Sequence, residues 1–246
     1  MNYIGLITVR TSSSRIKNKC LLNIGKFTKV IEHVILRCLG SGIKPILCTT
    51  EKKSDDILIE ISKKLGINYF RGSEKNKIYR WFKCAKHYNL KYFHTVDADD
   101  LYFDPKSIKK SLDLIMNNSI DIVHPSKISR NGGASEGYSF SKKGMNKLYK
   151  SLNKYYFRNI NSFDTEMIDT FVENAKLIEH TLRGQSYEYK GKIRFTLDYK
   201  EDFKMFKILF SKFGIYEDRK IINYFVNKNK KILKINFFRN KQWDEK

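Results

Sequence analysis

Residues 4–19 read IGLITVRTSSSRIKNK: an apolar run, Ile4 to Val9, passes directly into a basic segment built on small hydroxyl residues. A short apolar stretch of this kind, with Tyr3 in front of it, reads as a first strand covered on both faces. The segment behind it holds Arg10, Ser12, Ser13, Ser14, Arg15, Lys17 and Lys19 within ten positions. Arginine forks onto phosphate oxygens and lysine supplies a compact charge. Serine hydroxyls and loop N–H groups fill the remaining acceptors. Neither a Walker A nor a GxGxxG pattern is present, because the required glycines are absent. Taken alone, the segment is either a phosphate cradle or a solvated basic turn.

Outward from this point the chain alternates strand-like runs with amphipathic helices, the pattern of βαβ units and a parallel sheet. Strands are expected at Tyr3 to Val9, Pro45 to Thr49, Asn68 to Phe70, Tyr92 to Val96 and Ile120 to His124. Helices are expected at Thr28 to Leu39, after a Ser54 cap with Asp55 and Asp56 in the first turn, at Lys77 to Tyr88 and at Pro105 to Met116. Asp104 caps the last of these and Pro105 suits its first turn. Past Pro125 the rhythm loosens into a Gly-rich loop and a polar, aromatic helical stretch from Lys142 to Phe171. A late strand, Ile193 to Leu197, and a helix, Lys200 to Phe213 ended by Gly214, follow. The expected fold class is α/β, a Rossmann-like, mostly parallel sheet flanked by helices with a small insertion. One unit spans 1–246, with 126–192 as an insertion or oligomerisation region and 215–246 as a basic extension.

Composition narrows the function classes. The 246 residues suffice for one full α/β core, and no apolar run approaches the roughly 18 residues of a membrane span. The N-terminus lacks the features of an export signal. Cys20, Cys38, Cys48 and Cys84 are dispersed without a CxxC pair, which argues against zinc and disulfides and fits a cytoplasmic protein. Lys and Arg number 48 against 26 acids, a net charge of +22. That excess could meet a polyanionic partner, but much of it is Lys scattered beside Asn and Ile, which favours a solvated surface.

Acids cluster at two expected strand ends. In YFHTVDADD, residues 92–100, Asp97, Asp99 and Asp100 stand at the carboxyl edge where open α/β sheets bind ligands. Mg²⁺ takes one or two carboxylates plus substrate phosphates, so one of these suits a nucleotide-bound metal. In RFTLDYKEDF, residues 194–203, Asp198 ends the late strand, while Glu201 and Asp202 favour the helix N-terminus electrostatically.

Together these segments resemble the CMP-sugar synthetase class of cytidylyltransferases, closest to the spore-coat polysaccharide type and more distantly to the Kdo and acylneuraminate synthetases. The family opening, Ala-Arg, small residues and Ser-Arg-Leu-Pro-Gly-Lys, looks like Val9-Arg10 through Ser14-Arg15-Ile16-Lys17-Asn18-Lys19. Its Arg-Gly-Ser and Arg-Tyr motifs look like Arg71-Gly72-Ser73 and Tyr79-Arg80-Trp81. Its Gly-Asp-Cys-Pro, with Asp-Pro further on, is similar to Ala98-Asp99-Asp100-Leu101 and Asp104-Pro105. Its closing Thr-Val-Asp-x-x-Glu-Asp-Leu is similar to Thr196-Leu197-Asp198 through Glu201-Asp202-Phe203. The resemblance covers most of Ile4 to Phe203 and implies a nucleotide-diphospho-sugar transferase fold, GT-A-like. It implies CTP as co-substrate on Arg10, Ser13, Ser14, Arg15, Lys19, Arg71 and Arg80, and Mg²⁺ on Asp99 and Asp198. It further implies a homodimer, with CMP transferred to an acidic acceptor and pyrophosphate released.

Two departures stand out. Lys17-Asn18 replaces Pro-Gly, though Asn tolerates the left-handed backbone almost as Gly does. Asp100 replaces Cys and lacks the following Pro. His124, Arg130, Ser135 and Glu136 are candidates to meet an acidic sugar. The competing readings are a GT-A glycosyltransferase using Asp97-Ala98-Asp99 as a DxD, and a basic nucleic-acid-binding module. The second leaves the two acid clusters unexplained, so no nucleic-acid partner is expected.

Overall fold

The computed structural model describes residues 2–13, 15–126, 137–155, 163–165, 168–184 and 193–240. Seven strands form one sheet in the order β3-β2-β1-β4-β6-β5-β7. The first four are β1 (Tyr3–Thr8), β2 (Ile43–Thr50), β3 (Asn68–Gly72) and β4 (Tyr92–Asp97), all running parallel. Their register places Leu6 beside Ile46 on one flank and Thr95 on the other. β5 (Ile122–His124) does not follow β4 directly. β6 (Ser139–Ser141) slips between them, antiparallel to both, and β7 (Glu179–Thr181) closes the edge parallel to β5. The sheet is thus mixed and mostly parallel, and β6 and β7 come from the region expected as an insertion.

Period-two alternation sends neighbouring side chains to opposite faces. Ile7 enters the core under α1 (Val30–Gly40), α2 (Asp56–Lys64) and α4 (Pro105–Asn117), whereas Leu6 joins the core under α3 (Lys77–His87) and α5 (Lys142–Tyr155). Helices cover both faces, which is why the strands read as continuous apolar runs. α6 (Asp169–Asn174) packs on the second face, and α7 (Lys200–Phe213) and α8 (Arg219–Lys228) on the first, followed by the short α9 (Lys230–Leu233).

Several local readings hold. Asp104 accepts the Lys106 N–H at 3.0 Å with Pro105 in the first turn of α4, and Gly214, φ +64°, ends α7. Three do not. Ser54 lies in a 3₁₀ turn, Lys53–Asp55, and makes no cap bond; Asp55 precedes α2 and its carboxylate turns away into the protein. The run 193–197 joins no strand among the described residues. Ile193, Phe195 and Leu197 alternate because they bury against the core of the first face, and the Leu197 N–H reaches the Asp99 carbonyl at 3.0 Å. Asp202 does more than favour a helix end, as described below. Gly137 has its own requirement: at φ +78° a Cβ there would fall 1.7 Å from the Thr95 carbonyl oxygen, so only glycine lets this backbone lie on β4.

Candidate active site

Three segments converge at the carboxyl ends of β1 and β4: the loop 9–19, the turn 97–100 and the stretch 194–202. The loop is pinned at its start. The N–H and Oγ1 of Thr11 donate to one oxygen of buried Asp55, at 2.8 and 2.6 Å, while the Thr49 and Thr50 hydroxyls donate to the other. Burial raises the Asp55 pKa, but the hydrogen bonds from Thr11 and Thr50 outweigh it and hold the group below the usual carboxylate range. The loop ends at Asn18 in the left-handed region, φ 53° and ψ 35°, which turns the chain into a 3₁₀ turn beginning at Lys19.

That turn aims Lys19 into the site. Its Nζ lies 2.6 Å from Asp99 Oδ2 and 3.1 Å from Asp198 Oδ1, and it donates to the Leu197 carbonyl at 2.9 Å. Burial opposes the ammonium charge. The two carboxylates outweigh that penalty and hold Lys19 above the ordinary lysine range, and Lys19 in turn holds Asp99 below the carboxylate range against its own burial. Arg15 donates to the same Asp198 oxygen at 2.5 Å. The second Asp198 oxygen accepts from Arg194 at 2.9 Å. Asp198 therefore carries three cations, two reaching out of the basic loop and one from beneath.

The remaining expected residues sit nearby in separate pairings. Arg10 and buried Arg80 both donate to the Glu74 carbonyl, at 3.4 and 3.3 Å, and Ser12 meets the Glu74 carboxylate at 3.4 Å. Ser13 bonds through its backbone to Thr11. Arg71 is spent on the Thr50 and Lys52 carbonyls and on Asp56, fastening β3 to the start of α2. His124 pairs with Glu179 at 2.7 Å across β5 and β7. Asp97 and Asp99, the two acids of the DxD, face different cations, Lys77 at 3.6 Å and Lys19. Ser14, Arg130, Ser135 and Glu136 lie outside the described residues.

Arg194 and Asn236 escape sequence reading, and Asp202 reads there only as an acid favouring a helix end. Arg194 is fully buried, donates through Nε to Asp202 Oδ1 at 3.0 Å, and so ties Asp202 to Asp198. Asn236 donates to the same Asp202 oxygen at 2.9 Å and to the Arg194 carbonyl at 3.0 Å. The other Asp202 oxygen accepts the N–H groups of Asp198 and Tyr199. The spacing of Arg194, Asp198 and Asp202 at steps of four was the available signal. Asn236 gave none.

Asp99 and Asp198 meet at a single cationic nitrogen. Two hard carboxylate oxygens on one point suit Mg²⁺, which fills its other positions with phosphate and water; no larger cluster of metal-ligating side chains occurs among the described residues.

The chain matches the family described as Cytidylyltransferase over residues 4–235. It is 31% identical over 243 residues to an uncharacterized protein of Methanocaldococcus jannaschii, covering 96% of this chain and 95% of that one. It is 32% identical over 125 residues to a 3-deoxy-manno-octulosonate cytidylyltransferase of Rickettsia peacockii, 49% of this chain and half of that protein. A solved cytidylyltransferase from Leptospira borgpetersenii serovar Hardjo-bovis is similar at a TM-score of 0.78 and 23% identity, with 95% of this chain and 97% of that chain covered. CMP:2-keto-3-deoxy-manno-octonic acid synthetase complexed with CTP is similar at 0.64 and 13% identity, with 86% and 99% covered. These two show a shared fold, that of the nucleotide-diphospho-sugar transferases. The family match runs from within β1 to Ile235 and takes in the loop 9–19, the turn 97–100 and the stretch 194–202, with Asn236 one residue beyond its end: the chain belongs to the cytidylyltransferase family and is a nucleotidyltransferase enzyme.

Proposed function

We propose that this enzyme transfers CMP from CTP to an acidic sugar or to a phosphorylated or phosphonate acid, releasing pyrophosphate, as a cytoplasmic homodimer serving surface polysaccharide or glycoconjugate synthesis. The observation that carries the reading is Lys19 held between Asp99 and Asp198, a cation standing where two carboxylates meet at the mouth of a basic loop. Mg²⁺ held by Asp99 and Asp198 would neutralise phosphate charge and ease loss of the acceptor proton.

The chain supplies positioning and charge. An acceptor oxygen attacks the α-phosphorus in line, the bond to the bridging oxygen breaks, pyrophosphate departs with that electron pair, and the acceptor proton passes to solvent. Arg15 and Lys19 offset the charge gathering on pyrophosphate, and Arg10 offsets that on the reacting phosphoryl group. Ser13 would line the same loop, and the resemblance assigns CTP binding to Ser14 as well. No histidine serves as base in this scheme.

A pyrophosphate-release screen crossing the four NTPs with acidic sugars, phosphorylated acids and phosphonates tests it. CTP with one acid should turn over, and equal use of all four NTPs would remove the cytidine assignment. Asp99→Asn and Asp198→Asn should each reduce the rate roughly 10³-fold or more, beyond the 10- to 100-fold typical of residues one shell out from a metal. Full activity in either variant would sink the metal assignment.

A further inference from the structure

Asp198 is gripped from two sides, and only one grip belongs to the reaction described above. Arg194 has no exposed surface and spans two carboxylates, Asp198 through Nη2 and Asp202 through Nε. A buried arginine in that setting is held in place, since moving it would strip buried Asp202 of its ion-pair partner and Asp198 of one of its three cations. Asp202, also fully buried, is fixed in turn by the Asp198 and Tyr199 N–H groups and by Asn236. Asn236 follows α9 in the C-terminal extension, so a residue 34 positions from Asp202 completes the frame. Arg239, in the same extension, forks onto Glu201 at 3.0 and 3.2 Å and lies 4.5 Å from the Tyr199 ring, on which Arg15 also rests.

We infer that Arg194, locked by Asp202 and by Asn236 of the C-terminal extension, is a positioning residue that aims the Asp198 carboxylate at the divalent-cation site. The inference rests on the proposed role of Asp198 as a metal ligand. The fork geometry matters: Nη2 and Nε leave the guanidinium in one plane, so fixing Nε on Asp202 sets the direction from which Asp198 is held. The basic C-terminal extension is then part of the catalytic frame. Its lysines need no polyanion to account for the segment's presence.

The test uses the full chain. Arg194→Lys keeps the charge and loses the fork; Asn236→Ala keeps Arg194 and loses the anchor. For both, pyrophosphate release is measured against Mg²⁺ concentration at saturating CTP. CTP binding is measured by calorimetry with Mg²⁺ and in EDTA, and Tm is recorded. Half-saturating Mg²⁺ should rise about 10- to 100-fold for Arg194→Lys and less for Asn236→Ala, while CTP binding in EDTA changes less than about twofold. A structural role alone would lower Tm and scale the rate equally at every Mg²⁺ concentration; an unmoved half-saturation point overturns the inference. Asp198→Asn is the control. If it too leaves the Mg²⁺ dependence unmoved, the metal reading fails; if it alone moves it, the positioning role fails.

Discussion

The loop 10–19 and the stretch 194–202 face each other across Asp198 and are built in opposite ways. The loop brings its cations on long side chains that keep contact with water: Lys19 is 18% exposed at its side chain and Arg15 is 32% exposed. The opposite bank has Arg194 and Asp202 with no exposed side-chain surface, bonded to each other, to Asp198 and to Asn236. A part-exposed ammonium can leave its carboxylates and be replaced, whereas the buried Arg194 guanidinium cannot leave without stranding buried Asp202. In the proposed reaction the contrast would divide the work: the soft bank would follow a triphosphate as it loses pyrophosphate, and the rigid bank would keep a carboxylate aimed.

The sharpest way to break that contrast is Lys19→Ala. Pyrophosphate release should fall about 10²- to 10³-fold, the cost of removing a charge-stabilising donor. Mg²⁺ should bind the nucleotide-free variant more tightly than wild type, because nothing competes for Asp99 and Asp198. Titration calorimetry reads the second effect, and unchanged Mg²⁺ affinity would show that Lys19 is not the occupant a metal displaces. Stability against pH follows the same pair. Asp99 is held below the carboxylate range, so the pair's contribution is complete above about pH 4 and is lost as pH falls through the lowered value. Lys19 is raised, so at the alkaline end the contribution is complete below about pH 10.4 and is lost only as pH rises through the higher folded-state value. The Tm deficit of Lys19→Ala should accordingly stay flat between about pH 5 and 9 and shrink below pH 4.

The two banks also differ in how plainly they are written in the chain. Arg15 and Lys19 stand in one run of basic and hydroxyl residues, and Asp99 closes a strand whose apolar run is unmistakable. Local pattern suffices for both, and β1 to β4 fall within a few residues of where their runs predict. Asp198 was visible from its motif, but its surroundings were not. Arg194 and Thr196 lie between apolar neighbours in a run that alternates like a strand, yet burial against the core produces that alternation without sheet pairing. β6 and β7, three residues each, are too short for a period to show; Ser139 and Ser141 read as polar until β4 and β5 enclose them. Asp55 reads as a first-turn acid of α2, because a carboxylate's preference for a helix N-terminus is local while Thr11 is 44 residues away. Asn236 likewise meets Arg194 and Asp202 only across 42 and 34 residues.

Asp55 is the one rigid point of the soft bank, so replacing it should move the loop toward greater freedom. Asp55→Asn keeps one acceptor oxygen for Thr11 and leaves the Thr49 and Thr50 hydroxyls without a carboxylate. Losing hydrogen bonds to a buried charged group costs about 2 kcal/mol, or roughly 4–8 °C in Tm for a chain of this size. The group is held below the carboxylate range, so its contribution is present above about pH 4 and is lost on acidification, and the variant should lose less than wild type there. In kinetics the KM for CTP should rise while kcat is largely kept. A fall in kcat with KM unchanged would show that the anchor serves the reacting centre and not the grip on nucleotide.

The smallest effect belongs to Asn18, where the sequence departs from the family opening that it resembles. Its φ of 53° and ψ of 35° put it in the left-handed region, directly before the residue that reaches Asp99 and Asp198. Asn is among the few non-glycine residues that take this backbone readily, and a β-branched side chain pays about 1–2 kcal/mol there. Asn18→Gly should leave Tm and the KM for CTP within about twofold and a degree or two of wild type, since glycine meets the same backbone demand. Asn18→Val should lower Tm by several degrees and raise the KM, because relieving the strained turn swings Lys19 away from its two carboxylates. If the glycine variant were as impaired as the valine one, the Asn18 side chain itself would be contacting nucleotide, and the soft bank would hold a recognition group that backbone geometry does not explain.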